Sequence, residues 1–232
     1  ATVTCIDLPG FGNNEVPDDY SLEAVLAHIE EQLPECAVVM GWSLGGMLAV
    51  QLAVRHPQKI IGVISLAANL KFVATADYPS AMARAVNRDF NARFAQDSQA
   101  TLKLFDGLLA QGDDNERALL KQLRRSERSD VTPQWLQALE LLAQLDNRVA
   151  FSSLTVPGLH LLAANDALVP VAAASVMAGL NPQQQVSIID NCAHALHWSC
   201  PQQVMDEVSR FLSQLPLLAA TPPAFLDKKK IA

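Results

Sequence analysis

The 232-residue sequence predicts an α/β fold, a mostly parallel sheet interrupted by a helical cap insertion. Three observations lead there. Short apolar runs alternate with helix-period segments at both ends of the chain, while the stretch from about residue 71 to 150 shows helical Leu/Phe/Ala stripes and no convincing strand. The longest uncharged run, Cys36 to Val54, carries a glycine-rich turn at its centre. At about 19 residues it reaches membrane-spanning length, but "GWSLGG" divides it, so it reads as a buried strand followed by a buried helix.

Taken in order, "ATVTCIDLPGFG" opens the chain with β-branched residues leading into an Asp-Leu-Pro-Gly turn, a strand and a loop. "SLEAVLAHIEEQL" is an amphipathic helix with Ser21 as N-cap, ending before Pro34. "CAVVM" is a short buried strand, "SLGGMLAVQLAVRH" a buried helix stopped by Pro57, and "KIIGVISLAA" another strand, which is the rhythm of a parallel sheet. "TLKLFDGLLAQ", "ERALLKQLRR" and "PQWLQALELLAQL" are helices of the insertion. The α/β rhythm resumes with the strand in "VPGLHLLAAND", the helix "PVAAASVMAGL", the strand "QVSIID" and the helix "PQQVMDEVSRFLSQL". The expected organisation is a core from residues 1–70 and 151–214, a cap at 71–150, and a linker or tail at 215–232, where Pro222 and Pro223 precede a lysine run.

Composition narrows the function classes. Half of the residues are apolar and 18% are charged, which suits a packed globular core. A formal charge of −7 with no basic stripe through the chain argues against nucleic-acid binding. The deficit lies outside 71–150, where acidic and basic residues balance. Four cysteines without a secretory signal at the start fit reduced thiols and a cytoplasmic protein, and no membrane span is expected.

Gly41-Trp42-Ser43-Leu44-Gly45 is a G-x-S-x-G pentapeptide between a strand and a helix, the context in which such a serine becomes a nucleophile. A sharp turn lifts Ser43 Oγ clear of the sheet, and side chains at 41 and 45 are expected to collide with the neighbouring strand and helix. The Leu44 N–H, at a helix N-terminus, is a candidate oxyanion donor. A serine needs a base and an orienting carboxylate. Asp166 in "NDALVP" and His194 in "NCAHALHWSC" both follow strands, at the sheet ends where open α/β folds gather their sites, and the order Ser…Asp…His suits hydrolases of this architecture. Asp166 also reads as a helix N-cap, and Asp190 is a competing carboxylate. Cys192, His194, His197 and Cys200 have the look of a metal cluster, but they belong to one loop running into a helix, so no metal or other cofactor is expected. Cys192 reads as a small buried residue, and His197 and Cys200 as packing or pocket lining.

"DLPGFG" at 7–12, "GWSLGG" at 41–46, "NDALVP" at 165–170 and "CAHALHWSCP" at 192–201 resemble the pimeloyl-[acyl-carrier protein] methyl ester carboxylesterases of biotin synthesis, which are α/β-hydrolases. The resemblance covers residues 1 to about 214 and is loosest in the insertion. It implies a carboxylesterase that cleaves a methyl ester at the far end of a carrier-bound pimeloyl chain, with Ser43 as nucleophile, His194 as base and Asp166 as orienter. Leu44 would supply an oxyanion donor. Trp42 would line the acyl slot, a reading that stands level with a packed core aromatic. The family's cap offers basic residues to an acidic acyl-carrier protein, and Arg117, Lys121, Arg124, Arg125 and Arg128 are the candidates here; the plainer reading of the run is a solvated helix face.

Two departures from the family stand out. Its fold carries three strands before the "DLPGFG" strand, and a loop with the second oxyanion donor, so the chain is expected to be an N-terminally incomplete form of a longer protein. Without that donor, transition-state stabilisation would fall by about 2.7–4 kcal/mol. The tail "LDKKKIA" at 226–232 resembles the opening of the malonyl-[acyl-carrier protein] methyltransferase of the same pathway, which implies a fused methyltransferase after residue 232. The rival functions are another α/β-hydrolase activity, such as a small-molecule esterase, a thioesterase or a menaquinone-pathway lyase, and a catalytically impaired carrier-binding module.

Overall fold

The computed structural model describes residues 2–12, 14–15, 17, 19–125, 131 and 135–215. Its centre is a parallel sheet of β1 (Ala37–Trp42), β2 (Ile60–Leu66), β3 (Gly158–Ala163) and β4 (Gln185–Ile189), hydrogen-bonded in that order. Each parallel step needs a crossover, and the helices between the strands supply it. β1 passes to β2 through α2 (Leu44–Arg55), and β3 to β4 through α8 (Ala173–Leu180). The connection from β2 to β3 is far longer and contains α3 (Arg84–Gln96), α4 (Ser98–Ala110), α5 (Glu116–Leu123), α6 (Trp135–Gln144) and α7 (Arg148–Ser152). The sequence reading names no helix at α3. Its apolar positions are sparse, with Phe94 and Asn87 as the buried residues, so the stripe is weak.

Two apolar layers sandwich the sheet. On one face, α1 (Leu22–Glu30), α2, α8 and the inserted helices share a continuous cluster that includes Val25, Leu48, Leu109, Leu142 and Met177. On the other, the short α9 (Leu196–Ser199) leads into α10 (Pro201–Gln214), which lays Val204, Val208 and Phe211 against Leu159, Leu161 and Ala163 of β3. β3 is buried along its whole length, which explains why "GLHLLA" shows no polar alternation. Its one polar residue, His160, lies between Ser65 Oγ (2.7 Å from Nδ1) and Gln184 Oε1 (3.4 Å from Nε2), and burial pushes its pKa down to about 4. It is a core histidine, apart from the site described below.

Ser21 caps α1 as expected, its Oγ accepting the Ala24 N–H at 3.3 Å. The opening segment does not form a strand. Among the described residues it carries no ladder pairing, and β1 occupies a sheet edge. Ile6 and Leu8 pack against the core while Val3 is exposed. β-branched composition favours an extended backbone, but a strand also needs a neighbour that takes its hydrogen bonds. Among the described residues no helix is long and apolar enough to cross a membrane. The tail at 216–232, with its methyltransferase-like residues, lies outside the described residues.

Candidate active site

The pentapeptide forms the turn between β1 and α2. Ser43 has φ 54° and ψ −118°, a conformation that L-residues rarely adopt, and its N–H donates to the Leu66 carbonyl of β2 at 2.8 Å. The neighbouring strand therefore holds the strained residue in place. A Cβ at Gly41 would lie 2.2 Å from both the carbonyl carbon and oxygen of Gly45, so only glycine fits there. The expected collision at Gly45 does not occur: a Cβ there meets nothing within 4 Å, because position 45 faces away from the strand. The second crowded position is Gly46, where a Cβ would come within 2.8 Å of Ala68 Cβ and 2.9 Å of the Gly41 carbonyl oxygen. Leu44 opens α2, so its N–H is among the first amides of the helix, which have no intrahelical acceptor.

Asp166 and His194 come together from two separate strand ends, after β3 and after β4. His194 Nδ1–H donates to Asp166 Oδ2 at 2.7 Å, and both side chains are fully buried. The other carboxylate oxygen, Oδ1, accepts the Leu168 and Val169 N–H groups at 2.8 and 2.9 Å. The two readings of Asp166 therefore describe one residue: it ties down the turn after β3 with one oxygen and holds the imidazole with the other. Asp190 is exposed, and its carbonyl faces the Cys200 thiol at 3.9 Å. It does not compete for the histidine.

With Nδ1 engaged, His194 Nε2 is buried and has no hydrogen-bond partner among the described residues, Ser43 Oγ included. A buried ring nitrogen without a partner is costly, and such atoms recur where a reacting group is to be met. Trp42, the residue before the serine, ties the elbow to the histidine. Its Nε1–H donates to the His194 carbonyl at 2.9 Å, and its ring centroid lies 5.3 Å from the His194 ring and 5.0 Å from the His197 ring. The half-buried indole is thus packed behind the histidine.

Of the remaining members of the 191–200 stretch, Cys192 and Cys200 meet backbone carbonyls, while His197 Nδ1 and Ser199 Oγ are buried with no hydrogen-bond partner among the described residues. Cys192 is fully buried, its thiol donates to the Ile189 carbonyl at 3.2 Å, and burial pushes its pKa up. Burial and the nearby His194 push the His197 pKa down to about 4, so this ring is neutral near pH 7. Among the described residues no group of three or more His, Cys, Asp or Glu side chains is placed to hold a metal ion.

The basic residues Arg117 and Lys121 are exposed on α5, and Arg124 and Arg125 are exposed immediately after it, while Leu119 and Leu123 face the core. Arg128 lies outside the described residues. The sequence reading did not single out Asp113, a buried carboxylate in the turn between α4 and α5. The turn reaches the histidine loop, and a loop aspartate carries no sequence signal of such a long-range contact.

Over residues 1–201 the chain matches the alpha/beta hydrolase fold family. It is 58% identical over 230 residues to the "Biotin biosynthesis bifunctional protein BioHC" of Cellvibrio japonicus, an alignment covering 99% of this chain and 44% of that relative. It is also 33% identical over 216 residues to the pimeloyl-[acyl-carrier protein] methyl ester esterase of Aeromonas hydrophila, covering 90% of this chain and 84% of that protein. The chain thus spans less than half the length of the bifunctional relatives it matches. Among solved structures, a bromoperoxidase from Bacillus anthracis superposes with a TM-score of 0.76 at 18% identity, covering 89% of this chain and 80% of that one. The esterase EaEST from Exiguobacterium antarcticum gives 0.74 at 18% identity, with 88% and 79% covered. At such identity the likeness shows the fold alone. The chain belongs to the α/β-hydrolase fold family, in the group that contains the pimeloyl-[acyl-carrier protein] methyl ester esterases.

Proposed function

We propose that the chain is a serine carboxylesterase that hydrolyses the methyl ester of pimeloyl-[acyl-carrier protein]. The observation that carries the reading is the buried 2.7 Å Asp166–His194 bond, which leaves Nε2 without a partner among the described residues, in a loop tied by Trp42 to the Ser43 elbow. In this reading Ser43 Oγ attacks the ester carbonyl as His194 Nε2 takes its proton, and the Leu44 N–H donates to the developing oxyanion. The tetrahedral intermediate collapses, and methanol leaves with the proton from Nε2. Water, deprotonated by His194, then attacks the acyl-serine, and the free carboxylate is released as Oγ regains its proton. Asp166 holds the ring tautomer and balances the imidazolium charge. Trp42 borders the site and steadies the histidine backbone. No cofactor takes part in this sequence of steps.

The acidic carrier protein docks, in this reading, on the exposed Arg117, Lys121, Arg124 and Arg125, with Arg128 continuing the run; local positive charge in a chain of formal charge −7 suits steering of an acidic partner. The bifunctional names of the relatives support a parent protein with a second activity, which in this reading is the methyltransferase that the residues at 226–232 resemble. The test is to react the protein with a fluorophosphonate and read the adduct by intact mass, then to assay methanol release from pimeloyl-carrier methyl ester. A single adduct that disappears in Ser43→Ala and His194→Ala, together with methanol, is the expected result. An adduct without methanol replaces the ester substrate with another hydrolase substrate. No adduct from folded protein favours the carrier-binding module.

A further inference from the structure

We propose that Asp113, from the turn between α4 and α5, is a positioning residue that fixes the backbone carrying His194 and so makes the inserted helices part of the catalytic frame. The inference rests on the reading of His194 as the base. Asp113 is 6% exposed, and neither of its oxygens is paired with a cation among the described residues. Oδ2 accepts the Ala193 N–H at 3.1 Å, one residue before the histidine, and Oδ1 accepts the Asn115 N–H of its own turn at 2.8 Å. A carboxylate removed from water is retained where its oxygens meet directed N–H groups, and such charge-assisted bonds hold geometry better than neutral ones.

The surrounding contacts point the same way. The Ala195 N–H, just after the histidine, donates to the Leu109 carbonyl at 3.3 Å, and the Asp114 N–H donates to the Asn191 carbonyl at 3.4 Å. His194 is thus bracketed on both sides by the end of α4 and the turn that follows it. The same turn presses on the acid loop. Gly112 has φ +89°, and a Cβ there would lie 2.7 Å from the Asn165 carbonyl oxygen, next to Asp166. Asn191 itself holds φ 62°, the left-handed region that asparagine tolerates, where the chain turns after β4 into the histidine loop. Within this frame Asp113 is the one side chain of the α4–α5 turn that bonds to a neighbouring amide of His194.

The experiment compares the full protein with Asp113→Ala and Asp113→Asn, using hydrolysis of a p-nitrophenyl ester, the rate of fluorophosphonate labelling at Ser43, and the downfield proton NMR signal of His194 Nδ1–H. Asparagine retains one acceptor oxygen but sets its NH2 against an N–H donor, so it restores the arrangement only in part. The expected result is a fall in kcat of about tenfold for Asp113→Ala at unchanged KM, a smaller fall for Asp113→Asn, and a shifted or broadened Nδ1–H signal in both. Wild-type kcat, labelling rate and NMR signal in the folded Asp113→Asn protein, with only melting temperature reduced, overturn the proposal and leave the esterase reading intact. Failure of the wild-type protein to label at Ser43 overturns the hydrolase reading and this inference with it. Should Asp113→Ala not fold, the Asp113→Asn measurements alone decide.

Discussion

The two halves of the candidate site are built in opposite ways. The nucleophile elbow is local: five consecutive residues, a positive φ at Ser43, and a glycine at 41 whose absent Cβ leaves room for Gly45. The histidine side is assembled from afar, with Asp166 after β3, the Trp42 indole from the end of β1, and the turn after α4 all converging on residues 191–195. Strain in the elbow is held by its own motif and one bond to β2, whereas the histidine owes its place to several bonds from distant parts of the chain. A site divided in this way should respond differently to damage in its two halves. Elbow substitutions should act through backbone sterics, and substitutions around the histidine through orientation of a ring.

The largest effect is expected on the histidine side. Asp166→Asn keeps the volume and one acceptor but places an NH2 where Nδ1–H now donates, so the imidazole turns to the wrong tautomer. Ester hydrolysis should fall by about 10⁴-fold in kcat while the protein still folds, read by steady-state kinetics alongside circular dichroism. A loss of less than tenfold would show that Asp166 serves the turn after β3 alone.

The elbow supplies the next test. Gly41→Ala drives a Cβ into backbone atoms at 2.2 Å, which neither strand nor helix can move cheaply, and should cost about 3 kcal/mol, or roughly 6–12 °C of melting temperature, with labelling at Ser43 lost as well. Gly45→Ala meets open space within α2 and should be neutral or stabilising by up to about 1 kcal/mol. Equal losses at the two positions would mean that the turn is not shaped as described.

The mildest expected loss of activity returns to the histidine. Trp42→Phe keeps an aromatic ring beside His194 and His197 but removes the donor to the His194 carbonyl, a bond of about 0.5–1.5 kcal/mol. A drop of about three- to tenfold in kcat with little change in KM would place Trp42 in support of the histidine. A KM rise at constant kcat would place it in the acyl slot instead.

Much of this was legible in the sequence because its signals are short-ranged. The G-x-S-x-G turn, the Ser21 cap and the strands ending before Asp166 and before His194 all follow from neighbours within a few residues, and periodicity marks the change to helices after β2. The motif alone predicts crowding at Gly45 that the structure does not show, because a motif gives residue types and not which way each Cβ points. Composition predicts a strand for the opening segment, which forms none among the described residues, because it reports extended preference and not the presence of a pairing partner.

By itself, then, the sequence determined the architecture, the strained serine and the pair of residues that could serve it, since each rests on local sterics and repeat period. Only the tertiary structure decided that Asp166 rather than Asp190 reaches the ring, that Trp42 turns its indole N–H to the His194 carbonyl, and that Asp113 meets the Ala193 amide 80 positions away. Those contacts join residues far apart along the chain, and their existence depends on how layers of sheet and helix pack, which no local pattern encodes.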